Sequence, residues 1–168
     1  MNINSNLVKM VSFAAIFMLL LGCSDGTVKS ATGATDTKLL TVYKRAQCGC
    51  CEQWIKHVND NGFNTEVHDH ENLSAIKDKY AIPANLQSCH TTVTTDGFVF
   101  EGHIPAKFIQ QFIDDKPEGA IGLTVPSMPA GSPGMEYNDI FQPYNIYLLN
   151  RDGSVTIYAK VSSPEEQI

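Results

Sequence analysis

A helical pattern set between two strand patterns constrains the fold more than any other feature of this sequence. Residues 39–46, LLTVYKRA, are rich in β-branched and aromatic side chains and predict a strand. The next apolar side chains recur at i, i+3, i+4 and i+7, which is one face of a helix: Cys51, Trp54, Ile55 and Val58. Gly62 predicts the end of that helix, and residues 63–70, FNTEVHDH, predict a second strand. Two strands joined through one helix run parallel, with a right-handed crossover.

The following stretch predicts a short helix, a hairpin and a third helix. Helical spacing marks both helices: Leu73, Ile76 and Tyr80 in the first, and Phe108, Ile109 and Phe112 in the second. Between them, residues 91–104 predict an antiparallel hairpin with a two-residue turn at Asp96-Gly97. The order predicts an α/β fold over residues 39–116, with a mixed four-stranded sheet and helices on its faces, which is the thioredoxin-like plan.

A C-terminal extension over residues 117–161 follows this predicted domain. Residues 117–143 hold five of the eight prolines and four glycines, so they predict a loop and not a helix. The final residues of the extension predict a β-hairpin that turns near Asp152-Gly153.

The N-terminus has the features of an export signal. Residues 1–22 carry one lysine, no acid and an apolar run that is short for a membrane span. The run ends in LLGC, which resembles the bacterial lipobox and predicts a lipid on Cys23; the alternative is an ordinary signal peptide with a chance cysteine. By resemblance to lipoprotein sorting in enteric-type bacteria, Ser24 after this cysteine favours the outer membrane. Residues 23–38 are small and polar and predict a flexible tether, so we expect a periplasm-facing lipoprotein held to the membrane through its lipid anchor only.

The charge and the remaining cysteines narrow the function. The formal net charge is −6 and no basic run is present, which argues against nucleic-acid binding. Four thiols remain after Cys23: Cys48, Cys50, Cys51 and Cys89. Three of them fall within QCGCCEQW at the predicted helix start, where unpaired N–H groups stabilise a thiolate. This position suits either disulfide exchange or metal binding.

Crowded thiols favour a soft metal ion over disulfide exchange. A Cys48/Cys51 pair meets the needs of a thiol–disulfide oxidoreductase, but Cys50 adds a third thiol that complicates exchange and supplies a ligand. Soft sulfur selects Cu(I), with zinc and iron–sulfur clusters as competitors. Adjacent ligands point to different sides, so several ions fit better than one.

Methionines and histidines extend the candidate ligand set. Met128 and Met135 lie in SMPAGSPGM, and their thioethers suit copper unless they fill gaps in the core. His90, beside Cys89 at the start of the hairpin, and His103, after it, are candidate ligands. The other histidines, which we expect to be solvated, are His57 on the first helix and His68 and His70, expected at the far end of their strand.

Four separated segments together resemble one known family. TVYKRAQCGCCEQWIKHVNDNGF, IPANLQSCHT, GFVFEGHIPA and GLTVPSMPAGSPGM occur in the order found in CopG-like periplasmic copper-resistance proteins, which carry a C-x-C-C motif. The resemblance implies a thioredoxin-like domain whose C-terminal extension helps to bind metal. It also implies a cysteine-bridged copper cluster on Cys48, Cys50, Cys51 and Cys89, and interconversion of Cu(I) and Cu(II) for detoxification and export.

Three functional hypotheses result. The first is a copper-binding protein with a multinuclear thiolate centre that buffers copper or, as a copper oxidoreductase, interconverts its two oxidation states. The second is a thiol–disulfide oxidoreductase with Cys48 as nucleophile and Cys51 as resolving thiol. The third is a non-catalytic copper chaperone that delivers copper ions to an efflux system.

Overall fold

The computed structural model describes residues 38–168. The predicted signal peptide, the lipid attachment at Cys23 and the tether up to residue 37 lie outside the described residues. No helix within residues 38–168 is long and apolar enough to cross a membrane.

One mixed sheet of seven strands organises the described part of the chain. Its strands are β1 (Leu39–Lys44), β2 (Asn64–Asp69), β3 (Thr91–Thr94), β4 (Val99–Glu101), β5 (Ala120–Thr124), β6 (Tyr144–Asn150) and β7 (Val155–Val161). They lie side by side in the order β2-β1-β3-β4-β5-β6-β7. The helices are α1 (Gly49–Asp60), α2 (Ser74–Lys79) and α3 (Ala106–Asp115). Short 3₁₀ turns occupy Ala84–Leu86 and Pro164–Gln167.

The order of strands and helices predicted for residues 39–116 is confirmed. β1 and β2 are parallel and connected through α1, while β3 and β4 form the expected antiparallel hairpin. The four apolar residues expected on one face of α1 are all buried. For β1 and α1 this agreement follows from periodicity, because each of these two elements buries one side of itself.

The expected number of strands is wrong: the sheet has seven, not four. The extension does not stand apart from this sheet, because β5 pairs in parallel with β4 and antiparallel with β6. β5 lies inside the Pro/Gly-rich stretch that predicted only loop. A Cβ on Gly122 would lie 1.7 Å from the Val99 carbonyl oxygen, so this glycine permits close strand approach and does not mark a turn. The final hairpin, β6–β7, is confirmed.

Apolar clusters cover both faces of the sheet. The larger cluster joins Leu40 and Val42 of β1 to side chains of α1 and α3, including Trp54 and Phe112. A smaller cluster, which we call the second cluster, contains Ile82, Val93, Val99 and Leu149, with Tyr43 and Tyr80 packed against it. Successive strand residues point to opposite faces, which explains why Val42 and Tyr43 belong to different clusters.

Strand pairing brings two distant loops together. β1 and β3 are antiparallel, with Tyr43 opposite Thr91. The C-terminal end of β1 therefore lies beside the N-terminal end of β3. The loop that leads into α1 and the loop that leads into β3 consequently meet at one edge of the sheet.

Candidate metal centre

Four cysteine sulfurs meet where these two loops converge. Cys48 directly precedes α1, Cys50 and Cys51 lie in its first turn, and Cys89 lies two residues before β3. Their sulfur atoms all lie within 4.8 Å of one another, and we call this group the cysteine centre. It contains the four thiols expected from the sequence, with Cys89 contributed across 38 residues of chain.

A disulfide joins two of the four sulfurs. Cys48 and Cys51 are bonded to each other, while Cys50 and Cys89 are free. The Cys50 sulfur lies 3.5 Å from that of Cys48, and the Cys89 sulfur lies 3.4 Å from that of Cys51. Each free thiol therefore rests against one sulfur of the bridge, an arrangement that suits thiol–disulfide exchange and, once the bridge is reduced, shared metal ligation.

Burial controls the protonation of the free thiol opposite the helix. Burial, followed by the neighbouring Cys50 sulfur, raises the pKa of Cys89 to about 12. Cys89 is consequently a neutral thiol at pH 7 in the metal-free protein. A metal ion binds the thiolate and displaces this proton. Cys51 is fully buried, whereas the other three cysteines are partly exposed, so an ion reaches the centre from their side.

Two buried histidines flank Cys89. Nε2 of His103 lies 2.9 Å from the Cys89 sulfur, and Nδ1 of His90 lies 3.2 Å from it. Burial lowers the pKa of both imidazoles. Nδ1 of His103 donates a hydrogen bond to the Pro133 carbonyl at 2.8 Å, so the other nitrogen of the neutral ring is left as an acceptor or ligand. Nε2 of His90 is buried and has no hydrogen-bond partner in the described part of the chain.

The candidate ligands form two overlapping groups. Among residues 38–168, three or more potential ligand atoms converge within 4.8 Å only in the cysteine centre and in the group of Cys89, His90 and His103. Cys89 belongs to both groups. Thiolates and imidazoles are ligands for soft and borderline metal ions, copper among them, so these groups could hold a metal.

The C-terminal extension crosses both cysteine loops. The Ser127 N–H donates to the Gln87 carbonyl at 3.3 Å, and the Ser88 hydroxyl donates to the Ser127 carbonyl. Farther along, a Cβ on Gly134 would lie 2.6 Å from the Cys50 carbonyl oxygen, so the chain runs directly over the start of α1. Met128 and Met135 each follow one of these contact points, Ser127 and Gly134, by a single residue. Met128 is 46% exposed and Met135 is partly buried.

A buried ion pair holds the Cys89 loop, and sequence reasoning missed it. The fully buried Glu101 accepts hydrogen bonds from Lys77 of α2, from the Thr91 hydroxyl at 2.7 Å and from the Ser88 N–H at 2.6 Å. Burial raises the pKa of Glu101, and the adjacent Lys77 opposes this rise. A lone acid within the apolar run FVFEGHI is the available sequence signal. The loop geometry next to Cys89 thus depends on a carboxylate on β4.

The structure corrects the expectation that His57 is solvated. Nε2 of His57 accepts the N–H of Ala106 at 3.0 Å and so caps the start of α3, and burial lowers its pKa. His68 and His70 lie at and just after the C-terminal end of β2. Because β2 is parallel to β1, their end of β2 lies at the same sheet edge as the cysteines, and the His70 N–H donates to the Lys44 carbonyl at 2.8 Å. His68 and His70 are partly exposed.

Comparison with known proteins identifies close structural matches. Two solved structures, described as copper resistance protein copG form 1 and form 2, are 38% and 39% identical in sequence to this chain, with TM-scores of 0.69 and 0.70. Each comparison covers 74% of this chain and 98% of the other. The model of a family described as a protein of unknown function, DUF411, matches residues 86–135. No match was found among curated proteins.

Proposed function

The chain belongs to the CopG family of copper resistance proteins, and from this premise we propose that it binds copper at the cysteine centre. The observation that carries the proposal is the convergence of four sulfurs within 4.8 Å, with two imidazoles on the shared Cys89. Copper is the cargo or substrate of this centre. Cys48, Cys50, Cys51 and Cys89 are the principal ligands, and their crowding supports a multinuclear centre bridged by thiolates.

The donor set supports binding of both oxidation states of copper. Thiolates favour Cu(I), whereas imidazole nitrogen also accommodates Cu(II). His90 and His103 bring such nitrogens to the edge of the cysteine centre. Buffering or interconversion of Cu(I) and Cu(II), followed by transfer to an efflux system, is the role that we propose in copper resistance.

The extension completes the centre in this proposal. Met128 and Met135 supply thioethers or shield the ions from water, because their backbone lies beside the cysteine loops. The strand order β2-β1-β3-β4 with α1 and α3 supports a thioredoxin-like arrangement of residues 39–116, to which residues 117–161 add three strands and this cover.

Reduction must precede full thiolate binding. The Cys48–Cys51 bridge takes up two electrons and two protons from an external thiol reductant to give two thiols. The same bridge favours a second candidate function, disulfide exchange, with the partly exposed Cys48 open to an incoming thiol. A disulfide exchange assay on metal-free protein separates the two. Activity that survives Cys50→Ser and Cys89→Ser but is lost with Cys48→Ser would support the oxidoreductase.

The location proposed from the sequence is the periplasmic side of the outer membrane, with a lipid on Cys23. Radiolabelled fatty acid incorporated into the wild-type chain but not into Cys23→Ser would support this attachment. Equal labelling of both proteins would contradict it.

The copper proposal is tested by the copper-to-protein ratio of anaerobically reduced protein after exposure to Cu(I), together with the thiol count before and after chelation. We expect more than one copper per chain and a clear loss of copper in Cys50→Ser and Cys89→Ser. Cys23→Ser is the matched control, since it removes a cysteine outside the cysteine centre. Substoichiometric copper that is unchanged by Cys50→Ser would refute the proposal.

A further inference from the structure

A second group of metal-binding side chains lies on β2, outside the cysteine centre. Glu66, His68 and His70 alternate along this strand and its C-terminal end, so their side chains point to one face of the sheet. β2 is the end strand of the sheet formed by residues 38–168. The two imidazoles are partly exposed and Glu66 is exposed, so an ion reaches them directly from solvent.

The face that carries these three residues is opposite α1. Asp69, which alternates with them, points the other way and binds Lys44, which also pairs with Glu52 of α1. Glu66, His68 and His70 therefore share the face of Tyr43, which is opposite His68 in the strand register. Tyr43 is itself packed against the second cluster.

The Tyr43 ring contacts both imidazole rings. The His68 ring stacks on the Tyr43 ring with 5.5 Å between centroids, and the His70 ring lies against it at 5.6 Å. Because the second cluster holds the phenol ring, the His68 ring, which already lies beside Glu66, rests on a fixed surface. This support limits the conformational entropy that His68 loses when it binds an ion.

The donor atoms suit a borderline divalent ion. Nε2 of His68 already lies 2.9 Å from a Glu66 carboxylate oxygen. Within residues 38–168, three ligand atoms converge within 4.8 Å only around the cysteines, so the His70 ring must turn to close this second site. Its partial exposure permits that rotation. Two imidazoles and a carboxylate offer no soft sulfur, and among first-row divalent ions Cu(II) binds such N/O donors most tightly.

This group lies on the same edge of the sheet as the cysteine centre. His70 lines a cavity of about 140 Å³ with Ala46 and Gln47, and Gln47 directly precedes Cys48. His70 and the residue that precedes Cys48 therefore line the same cavity. An ion held on β2 is positioned beside the loop that carries Cys48.

We infer that Glu66, His68 and His70 form a separate Cu(II) site that captures the hydrated ion from solution. Binding at this site is independent of the thiols. Its use to load the cysteine centre rests on the function proposed above, and conversion of each ion to Cu(I) there takes one electron from the same external thiol reductant that opens the Cys48–Cys51 bridge. The two sites divide the ligand chemistry, with N/O donors for Cu(II) on β2 and sulfur-rich donors at the cysteine centre.

The test uses the untagged full chain and Cu(II) as the probe. In a variant with all five cysteines changed to serine, electron paramagnetic resonance and equilibrium dialysis should show bound Cu(II) with nitrogen ligands. Adding His68→Ala and His70→Ala should remove one equivalent, and Glu66→Gln should weaken binding of that equivalent. His57→Gln is the matched control and should leave it unchanged. Equal Cu(II) binding with and without His68 and His70 would overturn the inference.

A second measurement tests the same site without the cysteine-free variant, in case that variant does not fold. The reduced wild-type chain is saturated with Cu(I) without oxygen and then titrated with Cu(II), beside the His68→Ala/His70→Ala variant. We expect equal Cu(I) content and one fewer equivalent of Cu(II) in the variant. Equal Cu(II) content overturns the histidine site. A lack of bound Cu(I) in both proteins refutes the cysteine centre, and the Cu(II) comparison is then made after the thiols of both proteins are alkylated, so that no thiol reduces the probe.

Discussion

Substitution of Lys77 tests the buried ion pair that supports the Cys89 loop. Lys77→Met keeps the length and apolar stem of a side chain that is only 5% exposed, but removes the charge that faces Glu101. Removing one partner of a buried pair leaves an uncompensated charge and typically costs about 3–5 kcal/mol. The Glu101 carboxylate keeps two hydrogen bonds, from Thr91 and from the Ser88 N–H. We therefore expect a cost near the lower end, about 3 kcal/mol, which is roughly a 150-fold change in the unfolding equilibrium.

The measurement is urea unfolding of the metal-free protein at pH 7. In the double variant Lys77→Met/Glu101→Gln, no buried charge remains and the glutamine oxygen still accepts the Ser88 N–H. Its cost should fall to about 1 kcal/mol, so the two substitutions should be strongly non-additive. Lys56→Met is the matched control, because it breaks an exposed pair with Asp60 and should cost less than about 0.5 kcal/mol.

Two results would refute this account of Glu101. One is a Lys77→Met variant no less stable than Lys56→Met. The other is a double variant as unstable as Lys77→Met, since that outcome would mean that lost packing and not the unpaired carboxylate sets the cost.

Three further predictions concern the buried histidines, Gly134 and the disulfide. Metal-free protein should lose stability as pH falls below about 6.5, because burial lowers the folded-state pKa of His57 and of the histidines beside Cys89. Unfolding measured at pH 7.5 and 5.5 should show a smaller loss of stability in His57→Gln than in the wild type. An equal loss of stability in both would contradict the buried cap that His57 forms on α3. Gly134→Ala should weaken the retention of Cu(I) against a chelator, because a Cβ at this position would meet the Cys50 backbone. Gly153→Ala is the control, since Gly153 also has a positive φ but no such contact. Equal Cu(I) affinities of the two variants would exclude the contact. Reduction should raise the count of reactive thiols in denatured protein by two, as one disulfide requires, and an unchanged count would show that no bridge was present.

The local pattern of the chain predicted much of the fold. The spacing of Trp54, Ile55 and Val58 located α1, and Asp96-Gly97 located the β3–β4 hairpin, because both signals arise from neighbouring residues. β5 was not predicted, because its pairing with β4 depends on Gly122, which lets the two strands approach closely. The sequence alone does not distinguish such a glycine from one in a turn. The total of seven strands is likewise a result of long-range pairing.

The ligand chemistry of the cysteine centre was determined by the sequence itself. Three thiols in four positions at a helix start must stay close in any fold that forms this helix, and Cys48, Cys50 and Cys51 do so. Only the tertiary structure decided which distant groups join them. Antiparallel pairing of β1 with β3 brings Cys89 and His90 to these thiols, and pairing of β3 with β4 brings His103 to Cys89. His57 instead caps α3, and His68 and His70 lie against Tyr43. Residue type determines what a side chain can bind, but strand order and register determine what it meets.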